Sequence, residues 1–172
     1  AVGINVKAKA LKDEGKDVIV LAAGEPDFNT PKNIRDAASK AMEEGKTKYV
    51  PGKGTPELQK AIQKKFREDN NIDYQLDEII CGVGGKHIIY NAMMATINPG
   101  DEVIITAPFW VSYPDIVLLA EGNPVIVECP QSQNFKITPE QLEKNINSKT
   151  KWLMLNSPSN PTLSLIHISE PT

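Results

Sequence analysis

The stretch Ile79-Ile80-Cys81-Gly82-Val83-Gly84-Gly85-Lys86 changes the rhythm of the sequence. A short apolar run meets a glycine-rich turn, the turn opens a helical pattern over 86–97, and Val103-Ile104-Ile105 follows as a second apolar run. Toward the carboxyl end the alternation continues, with a helix over 112–120, a strand over 124–127, a helix over 139–146 and a strand over 152–155. Short apolar strands alternating with helices predict an α/β fold whose sheet is parallel and buried on both faces.

Toward the amino end the spacing predicts a helix over 5–12, and the β-branched run over 17–21 predicts a strand. The segment Ala23-Gly24-Glu25-Pro26-Asp27-Phe28-Asn29-Thr30-Pro31 is dense in breakers. Thr30 followed by Pro31 reads as an N-cap with proline at the first helical position, opening a helix over 33–45 that ends in glycine. Residues 46–54 read as a loop. Thr55-Pro56-Glu57 repeats the cap signal for an amphipathic helix with Leu58, Ile62 and Phe66 on one face. No internal repeat, low-complexity tract or linker interrupts the chain.

The 172 residues carry 19 Lys+Arg against 22 Asp+Glu, a formal charge of -3. There is no basic excess to neutralise phosphates along a nucleic acid, so a nucleic-acid partner is not expected. No apolar run approaches the roughly 20 residues that cross a bilayer, and the amino end lacks the plan of a signal peptide, so no membrane partner is expected and the cytosol is the expected compartment. Cys81 and Cys129 lack metal-ligand spacing, so no metal is expected, and both are expected to be reduced and buried.

Ligands of open α/β sheets bind beyond the carboxyl ends of the strands. After Cys81, Gly82-Val83-Gly84-Gly85-Lys86 lets free amides at a helix amino end approach an anion. It is not a Walker loop, because His87 follows Lys86 and the glycine spacing is wrong. Nor is it a dinucleotide fingerprint, because the next strand ends Thr106-Ala107-Pro108 instead of in an acid. A tight turn that only packs helix on strand remains open for this motif alone. Ala107-Pro108-Phe109-Trp110 puts a tryptophan at the next strand end, either as a stacking ring or as a core plug. Asn156-Ser157-Pro158-Ser159-Asn160-Pro161-Thr162 follows the last strand, where Asn160 offers a two-sided amide or sits in a plain turn. An anion cradle, a ring and an amide at successive strand ends suit a flat, phosphorylated ligand with polar edges.

With Ala23-Gly24-Glu25-Pro26-Asp27-Phe28, Lys46-Thr47-Lys48-Tyr49, Gly84-Gly85-Lys86, Pro108-Phe109-Trp110-Val111-Ser112-Tyr113-Pro114 and the 156–162 segment in this order, the sequence resembles the class I aminotransferases of pyridoxal-phosphate fold type I, near the bacterial aspartate and prephenate aminotransferases. The resemblance implies a three-layer αβα major domain, truncated here, with pyridoxal 5'-phosphate as cofactor, amino acid and 2-oxo acid substrates, and a homodimer. It implies that the backbone at Gly84, Gly85 and Lys86 holds the cofactor phosphate and that Tyr49 reaches the phosphate of the neighbouring subunit. Trp110 would stack on the pyridine ring and aim its indole N–H at the substrate carboxylate. Asn160 would bond the ring hydroxyl and that carboxylate, and the Gly24 backbone would line the carboxylate pocket.

The family's Schiff-base lysine, its pyridinium-pairing aspartate and its carboxylate-binding arginine are expected beyond Thr162, so no catalytic residue is assigned within this chain and the piece alone is expected to be inactive. Lys86 belongs to the phosphate turn and does not substitute. In the family Asn-Pro-Thr is followed by glycine, whereas Leu163 stands here. Residues 163–172 resemble a translated transposase-type sequencing adapter and are expected to be a non-native tail, with an internal piece of a longer protein before it. Residues 1–33 are expected to belong to a small domain and 34–162 to the cofactor-binding large domain. Two alternatives are carried forward: a lyase using the same cofactor on the same fold, and a non-catalytic module that binds a phosphorylated ligand.

Overall fold

The computed structural model describes residues 2–21, 26 and 28–164. The chain forms two compact units, Ala1–Tyr49 and Val50–Thr172. The first holds helices α1 (Val2–Asp13) and α2 (Lys32–Glu43). The apolar residues Ile4, Ala8 and Leu11 of α1 line one groove with Val18, Ile19, Val20 and Leu21. The run over 17–21, expected as a strand, makes no strand pairing. Its β-branched residues favour extended backbone, but a strand also needs a neighbour's ladder, and none is present among the described residues. The cap of α2 also differs from expectation, because Pro31 itself is the N-cap (φ -49°, ψ 141°), one residue later than Thr30. The Pro31 carbonyl accepts from the amides of Ile34 and Arg35, and no side chain caps this helix.

The second unit opens with α3 (Pro56–Asn70), where Thr55 is the N-cap as its sequence requires, its Oγ1 accepting from the Leu58 amide at 3.3 Å. After α3 comes a 3₁₀ turn (Leu76–Glu78), then α4 (Gly85–Thr96), β1 (Glu102–Ala107), α5 (Ser112–Leu119), β2 (Asn123–Glu128), α6 (Pro139–Asn145) and β3 (Thr150–Met154). The strands pair in the order β2-β1-β3, all parallel.

Central strand β1 decides the layering. Val103 and Ile105 face one side and pack with Met93 within α4, Ile97 just after it, and Ile116, Val117 and Ala120 around α5. Ile104 faces the other side with Val127 and Cys129, where Val125, Ile137 and Leu142 of α6 close over it. Side chains alternate across a strand, so a residue triplet buried throughout requires cover on both faces. The result is the expected helix–sheet–helix sandwich. Trp152 of β3 joins the α4 side and donates its indole N–H to Thr96 Oγ1 at 2.9 Å, tying the carboxyl end of α4 to the sheet.

A second expected strand is not a strand either. Ile79-Ile80-Cys81 is extended but unpaired, with Ile79 buried and Ile80 68% exposed. Its backbone bonds go elsewhere: the Cys81 amide donates to the Lys53 carbonyl at 2.9 Å, and the buried Gln59 side chain donates to the carbonyls of Leu76 and Ile79. The apolar face of α3 gathers Leu58, Ile62 and Phe66 as its spacing predicts, and lines an open groove with this segment. Cys129 is buried as expected, whereas Cys81 is only half-buried; both are free thiols.

Candidate functional site

Parallel pairing aligns the carboxyl ends of β1 and β3, and the amino end of α4 carries the glycine turn. The turn's geometry follows from its glycines. Gly84 is the N-cap of α4 at φ 90°, a left-handed backbone that glycine adopts without a Cβ penalty. At Gly82 a Cβ would fall 2.5 Å from Ile88 Cδ1 and 3.0 Å from His87 Nδ1, so a larger residue would push on both of these side chains. Above Gly84 and Gly85 a Cβ would meet nothing within 4 Å, which leaves open space in front of the helix end.

The Gly84 amide is turned inward onto the Gly82 carbonyl at 3.0 Å. The amides of Gly85, Lys86 and His87, the first of α4, have no acceptor among the described residues. Free amides at the positive end of a helix dipole suit an anion, and phosphate above all. The His87 amide was not singled out by the sequence pattern; the signal was its place one residue beyond Gly-Gly-Lys.

Lys86 extends from this turn so that its Nζ lies 4.9 Å from the centroid of the Trp110 ring, a cation over an aromatic face. Trp110 is half-buried and meets Tyr113 edge to face, with centroids 5.4 Å apart and planes at 81°. Burial pushes the Tyr113 phenol above its usual range, keeping it neutral. Tyr113 in turn lines a small pocket with Thr106, Phe109, Asn156 and Asn160. Asn156 Oδ1 accepts from the Asn160 amide at 2.9 Å, fixing that loop's backbone, and the Asn160 side chain is exposed. The 107–108, 157–158 and 160–161 peptide bonds are cis.

The structure therefore brings Gly84, Gly85, Lys86, Trp110 and Asn160 to one end of the sheet. Tyr49, fully exposed, belongs to the other compact unit, and Gly24 lies outside the described residues. Tyr113 and Asn156 join the site as supports that the motif reading passed over. Among the described residues no cluster of His, Cys, Asp or Glu could hold a metal, and no helix is long and apolar enough to cross a membrane.

The sequence profile described as aminotransferase class I and II matches residues 16–170. The chain belongs to that family. It is 60% identical over 156 residues to a probable aspartate/prephenate aminotransferase of Rickettsia bellii, covering 91% of this chain and 39% of that protein. The crystal structure of the aspartate aminotransferase from Rhizobium meliloti superposes with a TM-score of 0.88 at 53% identity, over 93% of this chain and 40% of that one. The aspartate aminotransferase from Thermus thermophilus with maleate superposes with a TM-score of 0.89 at 45% identity, over 94% and 42%. This aminotransferase segment thus spans about 40% of the length of the relatives it matches.

Proposed function

We propose that this aminotransferase segment supplies the phosphate- and ring-binding part of a pyridoxal-phosphate enzyme that moves an amino group between an amino acid, such as aspartate or glutamate, and a 2-oxo acid. The observation that carries the proposal is the set of free amides at Gly85, Lys86 and His87 beside the Trp110 ring, at the carboxyl end of a parallel sheet. The residues fit the cofactor: amides and a lysine for its phosphate, open space above Gly84 and Gly85, an aromatic plane for its ring, and Asn160 for its ring hydroxyl. When bound, pyridoxal phosphate supplies an electron sink for charge developing at the amino-acid α-carbon.

This chain's own residues bind and orient. The α4 amides and Lys86 neutralise phosphate charge, Trp110 restricts the ring's tilt and offers its N–H to a carboxylate, and Asn160 bonds at the ring edge. The names of the relatives, aspartate and prephenate, and the maleate with the Thermus thermophilus enzyme support an acidic substrate. Gly24 is proposed to line the carboxylate pocket, and Tyr49 to reach the phosphate of a neighbouring subunit in a cytoplasmic homodimer. Residues 1–33 are proposed to belong to the small domain.

The test is amino-group transfer from aspartate or glutamate by the full-length protein carrying this segment, with and without added pyridoxal phosphate. Turnover that depends on the cofactor and falls with Trp110→Ala is the expected result. Turnover indifferent to both changes would overturn the proposal.

A further inference from the structure

The imidazole of His87 does something the phosphate turn needs and no family motif assigns. Its Nδ1 lies 3.2 Å from the Val83 amide nitrogen, which donates to it, and its Nε2 lies 3.1 Å from Asn91 Nδ2. A neutral imidazole that accepts at Nδ1 carries its proton on Nε2. Nε2 is then a donor and cannot accept from Asn91 Nδ2, so the Asn91 amide is assigned turned over, with its carbonyl oxygen toward Nε2, since the two ends of an amide exchange freely by a flip. Asn91 sits one helical turn after His87 on α4, the spacing at which side chains meet. The outcome is a polarised chain: Asn91 oxygen, His87 Nε2–H, His87 Nδ1, Val83 N–H.

That chain sorts the amides of the turn. Val83 N–H is taken up by His87 Nδ1, Gly84 N–H is taken up by the Gly82 carbonyl, and the donors left without an acceptor among the described residues are Gly85, Lys86 and His87. Gly82 completes the fit, since any Cβ there would sit 3.0 Å from His87 Nδ1. We infer that His87, held in its Nε2–H tautomer by Asn91, is a positioning residue that sets the turn for the cofactor phosphate. This role rests on the phosphate reading of the turn given above.

The test has separate arms in the full-length protein carrying this segment. Ring ¹⁵N NMR of selectively labelled histidine, without cofactor, is expected to give the Nε2–H tautomer for His87, with Asn91→Leu releasing it to a mixture. An Nδ1–H tautomer, or a mixture already in the unmodified protein, overturns the inference. Equilibrium dialysis then compares pyridoxal 5'-phosphate, inorganic phosphate and unphosphorylated pyridoxal. His87→Leu is expected to weaken both phosphate-bearing probes by about three- to tenfold, the worth of one neutral hydrogen bond, and to leave pyridoxal unchanged. His87→Asn, whose Oδ1 stands where Nδ1 stood, is expected to recover most of the loss. Equal loss for pyridoxal, or no rescue by asparagine, overturns the positioning role. An unmodified protein that binds none of the three probes overturns the cofactor reading instead, while the tautomer measurement still decides whether the His87 chain exists.

Discussion

In the proposed site Trp110 has two roles, stacking on the cofactor ring and donating to the substrate carboxylate, and the two can be separated. Trp110→Phe keeps a flat ring but removes the N–H donor, so in the full-length enzyme it should weaken the amino-acid substrate more than the cofactor. A hydrogen bond to a charged group is worth about 1.5–3 kcal/mol, which is roughly a ten- to hundredfold fall in kcat/KM. Steady-state kinetics beside cofactor dissociation measurements check this, and an equal loss in both would contradict it. The thiols offer a second contrast. Cys129 is 1% exposed, and burial, helped by the Glu128 carboxylate, pushes its thiol up, whereas Cys81 is half-buried at the turn. Iodoacetamide at neutral pH should therefore label Cys81 well before Cys129, as read by peptide mass spectrometry. These residues differ in how legible they were. Trp110 and Asn160 stand at strand ends, where an α/β pattern says to look. His87 looked like the residue that spoils a Walker loop, because a side chain's hydrogen-bond partners are set by a fold-back that its neighbours' identities only permit.

Of the helix ends capped by a side chain, Thr55 before α3 was read from the sequence, whereas Thr138, followed by the same proline signal, was not singled out. Thr138 caps α6 in a reciprocal box, its Oγ1 accepting from the Gln141 amide at 3.2 Å while Gln141 Oε1 accepts from the Thr138 amide at 3.0 Å. Thr138→Ala should cost about 1 kcal/mol of stability, measurable by denaturant unfolding. In the same first turn, its own backbone amide and then the Thr138 hydroxyl hold the Glu140 carboxyl below its ordinary value. A carboxylate with a depressed folded value stabilises above its unfolded value and loses that stabilisation as pH falls through the folded one. Glu140→Gln should therefore flatten the acid side of the melting-temperature profile, and a profile parallel to the unmodified protein's would refute the assignment. Where no side chain acts, as at Pro31 before α2, the cap slipped by a residue from its sequence signal. The segments over 17–21 and 79–81 failed for a different reason: composition sets an extended backbone, but pairing is decided by a partner that the local sequence does not contain.

The sheet carries its own hazard across the whole chain. β2 and β3 are its outer strands, and each has an edge without a partner among the described residues. Ile126 and Leu153 on those strands are 39% and 37% exposed, and Ile80 beside the turn is 68% exposed. Open edges flanked by apolar side chains template association. The 172-residue chain by itself should therefore show mass that rises with concentration in light scattering, and Leu153→Lys should reduce it. A concentration-independent monomer would refute the expectation. The three-layer plan was visible from the alternation of runs because β1 is apolar at every central position, whereas which edges stay open depends on strand order, which no single run encodes. The same packing gives the two tryptophans of the sequence different partners. Trp152 is pinned by its N–H to Thr96 inside the α4–sheet contact, and Trp110 stands under a lysine at the mouth of the site. The intrinsic fluorescence of this protein should thus divide into an emitter that responds mainly to opening of the core and one that responds to a ligand disturbing that lysine, so emission followed during unfolding and during titration with pyridoxal phosphate should report the two events without any added dye.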